Sequence, residues 1–196
     1  MSIRRQPGQL SHPASSVSIQ QIYAIIEDLG QSLMSLIQQI GGNQGAKLIY
    51  RDLVPNDLFV TGVQTQGRFF NPIALTANAF TTDVFSGAAN ALPQNRAIGI
   101  YGVYSLATSP QTDVVRIKLG TSQTLAQIFM DPLYADNERA ITYFNPLRFG
   151  PLDAIVIDML ANAAVGSGVE QIGFLGVVAE PEGVTISPRS GGTFQS

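Results

Sequence analysis

Between Ser18 and Ile40 the apolar residues recur in a regular rhythm. Ile19, Ile22, Ile26, Leu29, Leu33, Leu36 and Ile40 follow one another at gaps of three and four in strict alternation. That is the spacing of a heptad seam, and it predicts a helix over residues 18–41. Ser18 with Gln21 forms a capping box, Val17 can staple onto Ile22, and Gly41 or Gly42 supplies the stop. Gln20, Gln21, Ala24, Glu27, Asp28, Gln31, Met34, Ser35 and Gln38 are expected to lie away from the seam. Gly30 costs the helix about 1 kcal/mol relative to alanine, so its stability must come from burying the stripe. Isoleucine at the first seam positions, Ile19, Ile22 and Ile26, favours three or more strands over two. The expectation is a trimeric coiled coil through all seven residues. The competing arrangement lays the same stripe on the chain's own sheet.

Beyond the helix the period changes from helical to twofold. Asp113–Leu119 sets Val115, Ile117 and Leu119 against Val114, Arg116 and Lys118. Ala97–Ala107 places Ile98, Ile100, Tyr104 and Leu106 on one side, with Gly99 and Gly102 allowing close approach or a bulge. Further strands are expected at Leu48–Val54, Leu58–Val63, Phe69–Leu75, Leu125–Met130, Ala140–Phe144, Ala154–Leu160 and Ile172–Ala179. The link Thr76–Arg96 is long, rich in small residues and without alternation. Phe-Asn-Pro occurs at Phe70 and again at Phe144, and could mark equivalent corners. Strands at this spacing with no helices between them predict an antiparallel β-sandwich or jelly roll. The chain thus divides into an extended arm (1–17), a helix (18–41), a β-domain (46–180) and an extended tail (181–196). Neither arm nor tail can bury a core of its own, so an ordered course for either requires a neighbouring subunit.

Composition sharpens this picture. Only 13% of the 196 residues are charged, with 19 glycines and 11 prolines, which suits a β-rich domain whose surface is partly covered by neighbours. A net charge of −3, with Lys47 and Lys118 the only lysines, gives no footprint for nucleic acid. Acidic residues interrupt every long apolar run, so no membrane span is expected. Arg4-Arg5 is followed by Gln6-Pro7-Gly8 instead of an apolar segment, which argues against a twin-arginine leader and leaves the pair as a possible anchor for the arm on an acidic neighbour.

The chemistry-bearing residues are few. There is no cysteine, and His12 is the single histidine, so no serine triad or histidine-rich metal site can be assembled. Asp131 with Asp136 and Glu138, or Asp153 with Asp158, could supply a carboxylate pair, but they flank prolines and turns where Asp and Asn set backbone geometry. Asp158, in the apolar run Ile155–Leu160, would need a partner such as Arg116, Arg139 or Arg148 if it faces the core. Tyr101, Tyr104, Tyr134 and Tyr143 could stack on a sugar, although buried tyrosines are commoner in sheets. No catalytic residue, cofactor or metal is expected.

An arm, a trimer-type seam, a low-charge antiparallel β-domain and a Ser/Gly tail together resemble bacteriophage virion proteins. The nearest likeness is to trimeric capsid decoration, or cement, proteins. The resemblance implies a non-enzymatic homotrimer on a virus particle, assembled in the host cytoplasm, whose partners are itself and the major capsid protein or other virion subunits. The alternative it leaves is a trimeric tail-associated protein that binds a receptor or glycan.

Overall fold

Twofold alternation builds two antiparallel sheets around one shared core. The computed structural model describes residues 12–13, 19–39, 47–58, 69, 71–131, 134 and 140–182. Its elements run β1 (His12–Pro13), α1 (Ile19–Gln39), β2 (Leu48–Asp52), a 3-10 turn (Pro55–Leu58), β3 (Ala79–Ala91), β4 (Ala97–Ser105), β5 (Thr112–Leu119), β6 (Gln123–Phe129), β7 (Ala140–Phe149), β8 (Ala154–Ala161) and β9 (Ile172–Pro181). The larger sheet has the order β1-β7-β4-β9-β2 and the smaller β3-β8-β5-β6. Among the described residues the fold is therefore mainly β, with the long helix α1 ahead of the main strands.

The sheets face each other through Ile98, Ile100, Phe174 and Val178 on one side and Val115, Ile117, Ile157 and Met159 on the other. Phe69, Phe85 and Phe174 meet edge-on at 5.7–6.1 Å between ring centres, the geometry that ring quadrupoles favour. On the outer side of the larger sheet α1 forms a third layer. Leu29, Leu33 and Ile37 are fully buried there against Ala97, Tyr101, Val177 and Ala179. Gly99 makes this close approach possible, since a Cβ at that position would fall within 2.6–2.7 Å of the Leu29 side chain.

Several expectations are corrected. The link Thr76–Arg96 contains β3, the longest strand. Register shifts between Thr81 and Phe85 and between Ser86 and Ala91 scramble its alternation, which is why no period is visible in the sequence. In β4 a shift between Ile100 and Gly102, present in both pairings, brings Val103 into the core, while Tyr104 packs against it partly buried, as expected. Phe69–Leu75 is not a strand and contributes only the isolated bridge Leu75↔Val165. The two Phe-Asn-Pro segments are not equivalent, because Asn71 sits in a loop while Phe144-Asn145-Pro146 lies inside β7. Pro181, expected at the root of the tail, belongs to β9, which also takes in Glu180 beyond the expected strand end at Ala179. Residues 59–63 of the expected strand Leu58–Val63, the arm apart from 12–13, and the tail from 183 onward lie outside the described residues.

Candidate functional site

The seam of α1 is the first candidate, and the structure divides it in two. Leu29 and Leu33 are fully buried on the chain's own sheet and Leu36 partly so, joined by Ile37, which the heptad register did not include. The expectation that all seven seam residues face other copies is corrected to this extent. Burial on the sheet needs a stripe wider than a coiled-coil seam, and Ile25, Ile37 and Met34 widen it. Towards the N-terminus the same helix face runs off the sheet. Ile19 is 72% exposed and Tyr23 67%, with Ile22 and Ile26 half-buried. Ile40, Arg4 and Arg5 lie outside the described residues.

The second candidate is the set of buried charges. Asp158 is fully buried on β8, directly opposite Arg116 of β5. Arg116 donates Nε and Nη2 to Oδ2 at 2.9 and 2.6 Å, and Lys118 Nζ reaches the same oxygen at 2.9 Å. The Asp83 amide donates to Oδ1 at 3.2 Å from a left-handed backbone at φ 54°. The Arg116 guanidinium also lies 4.0 Å over the Phe80 ring, a cation–π contact. Of the partners the sequence allows, Arg116 is used. Arg148 instead reaches Asp28 of α1 at 3.6 Å on the surface, and Arg139 lies outside the described residues.

A second cluster was not legible in the sequence, because its members are far apart along the chain. Asp57, in the 3-10 turn, accepts two bonds from Arg51 at 2.7 and 2.8 Å and one from the Val54 amide at 2.8 Å. Arg51 Nε also donates to Glu180 at 2.9 Å, and Arg96 lies 3.4 Å from Glu180. Two acids and two bases thus tie β2 and the turn to β9. Burial taken alone lowers the Arg51 pKa, but its two carboxylate partners together hold it above the ordinary value.

A third cluster closes one end of the sandwich. The Asn71 side chain donates to the Ile73 and Gly166 carbonyls, both at 2.8 Å, and accepts from the Val169 and Glu170 amides at 3.1 and 2.8 Å. The neighbouring Glu170 accepts from the Gln111 amide at 3.3 Å, while its Oε1 and the Thr112 hydroxyl have no hydrogen-bond partner. Burial raises the Glu170 pKa, and burial followed by the Glu170 charge raises that of Tyr134, whose hydroxyl donates to the Thr112 carbonyl at 2.9 Å.

Asp153 accepts the Gly150 amide at 2.7 Å within its own turn and makes no pair with Asp158. Asp131 is exposed, and Asp136 and Glu138 lie outside the described residues. Among the described residues no three His, Cys, Asp or Glu side chains gather as a metal site would require. Tyr101 is buried under α1, Tyr104 and Tyr134 pack partly buried on the core, and the Tyr143 side chain lies outside the described residues. No family model, curated protein or solved structure matches the chain.

Proposed function

We propose that the chain is a non-enzymatic structural protein that works by self-association, as a homotrimeric capsid decoration protein bridging neighbouring subunits of a virus shell. The observation that carries the self-association is the overhang of α1, where an apolar face continues beyond the sheet that shelters its other half. Ile19 and Ile22 keep heptad spacing there and present branched side chains that suit a three-stranded contact, while Ile26 one turn on already packs against the chain's own sheet. Covering such side chains contributes about 1.5–3 kcal/mol each when burial is complete. Three copies of the overhang supply one another with that cover. A buried Asp158 that is paired within the fold, and a surface poor in charge, suit a protein whose work is contact. The virus-shell setting rests on the resemblance of the sequence to cement proteins.

The test is the mass in sedimentation equilibrium. The wild-type assembly is expected to contain a multiple of three protomers. Ile19→Asp with Ile22→Asp, placed where the helix has left the sheet, is expected to remove the threefold while leaving the circular dichroism of the sheets unchanged. A wild-type mass not divisible by three, or a threefold that survives both changes, overturns the reading.

A further inference from the structure

Two sheets have four edges, and three of them are blunted. β1 pairs with only Ile141 and Thr142 of β7, and the rest of that edge, β7 itself, carries Pro146 and Arg148. β2 carries Arg51 and Asp52. β3 is broken by two register shifts and by Asp83 in the left-handed region. These are devices that keep an edge from pairing with another chain. The fourth edge, β6, reads Gln-Thr-Leu-Ala-Gln-Ile-Phe, without a charge or a proline. Among the described residues it is paired on one side only, to β5. Its one irregularity lies between Ala126 and Thr124, so Ala126–Phe129 runs in unbroken register with Val114–Ile117. Its open side presents the unpaired backbone amides and carbonyls of a strand rich in β-forming residues.

The side chains point to the same edge. On the outer face of the smaller sheet, Phe80 stands opposite Leu160, Leu160 opposite Val114, and Val114 opposite Phe129. This apolar row crosses all four strands and ends at the open edge, on a Phe129 that is 55% exposed.

We propose that β6 is a second self-association site, pairing antiparallel with β6 of another copy across a twofold axis to make one continuous eight-stranded sheet. A second copy is the occupant the residues fit best. An uncharged strand meets itself without like-charge repulsion, whereas an edge built for a charged peptide would carry the opposite charge. A twofold perpendicular to the sheet keeps outer face with outer face, so the apolar row continues from one Phe129 towards the other. The interface is isologous and closes on itself. With the threefold of α1 it would join trimer to trimer, so in that role it rests on the proposed function; the edge contact itself does not.

The experiment uses the full chain carrying Ile19→Asp and Ile22→Asp, so that only the edge is left to associate. That chain is expected to sediment as a dimer. Adding Gln127→Glu, or separately Gln127→Lys, is expected to weaken the dimer by about tenfold or more. Gln127 is exposed in the middle of the unbroken stretch, so its charges fall within cross-strand or diagonal reach of each other. An equimolar mixture of the Glu and Lys chains is expected to dimerise again, which a mere loss of folding would not allow. Amide exchange over residues 123–129 should slow on dimerisation. A monomer before any change at Gln127, or a dimer indifferent to both charges, overturns the proposal. Slow exchange at 123–129 that is lost on removing residues 183–196 also overturns it, in favour of a neighbour's tail as the added strand. A wild type that is dimeric and not a multiple of three leaves the edge contact standing and removes the trimer.

Discussion

At Asp158 a full charge sits inside a sheet face, and the residues around it decide what that costs. Two cations and a backbone amide are aimed at its two oxygens. Replacing it by alanine leaves Arg116 and Lys118 without their anion in a largely desolvated place. Removing one member of such a buried group is strongly destabilising. Asp158→Ala is expected to lower stability by about 3 kcal/mol, near the bottom of that range because Arg116 keeps some water, read as a shift of the urea midpoint at unchanged slope. Glu170 is the opposite case. Its pKa is raised in the fold, chiefly by burial, so the folded protein holds the proton more tightly than the unfolded chain. Its contribution is then fully present below the ordinary carboxylate range and is lost as pH rises through the raised value. Glu170→Gln is expected to raise the melting temperature at pH 7 and to remove the fall in stability that begins above about pH 4.5. Of these two sites only Asp158 was legible, since a lone acid in an apolar strand demands an explanation. Glu170 follows a Gly-Ser-Gly-Val run that reads as an ordinary turn.

At the scale of elements the helix was legible in place from its period, and its expected caps at Ser18 and Gly41 or Gly42 lie outside the described residues. What it rests on was not legible. A seam with gaps of three and four is compatible with a partner helix or a sheet, and the choice depends on β4 and β9, whose helix-facing residues look like any strand's. Gly30 holds the clue that sequence could not decode. It reads as a loss of helix propensity, yet a Cβ there would lie 2.7–3.0 Å from the Tyr50 ring, on the stiff part next to its own Cβ. Overpacking of that kind costs about 1–3 kcal/mol, which outweighs the propensity gain of about 1 kcal/mol. Gly30→Ala is therefore expected to destabilise the wild type. In a chain carrying Tyr50→Ala the same change should stabilise, and the sign reversal in a double-mutant cycle is the readout.

For the molecule as a whole, β5, with its apolar–polar alternation, and β8 and β9, as short apolar runs buried on both faces, were visible within a residue or two of their bounds. β3 was lost because irregular pairing erases the twofold period that makes a strand readable. The charge network of Arg51, Asp57, Arg96 and Glu180 was hidden for another reason: nothing in a linear pattern brings residue 51 to residue 180. That same long-range closure decides which parts of the fold can exist before others.

The platform beneath α1 is made chiefly of β9 and β4, and β9 begins about 130 residues after the helix ends. At a synthesis rate of ~5–20 residues per second, the helix leaves the ribosome roughly ten seconds ahead of the strand that shelters it. Throughout that interval Leu29, Leu33 and Ile37 face water or whatever nascent chain is nearest. Neighbouring ribosomes on one message would then bring young helices together before any of them has a sheet to lie on.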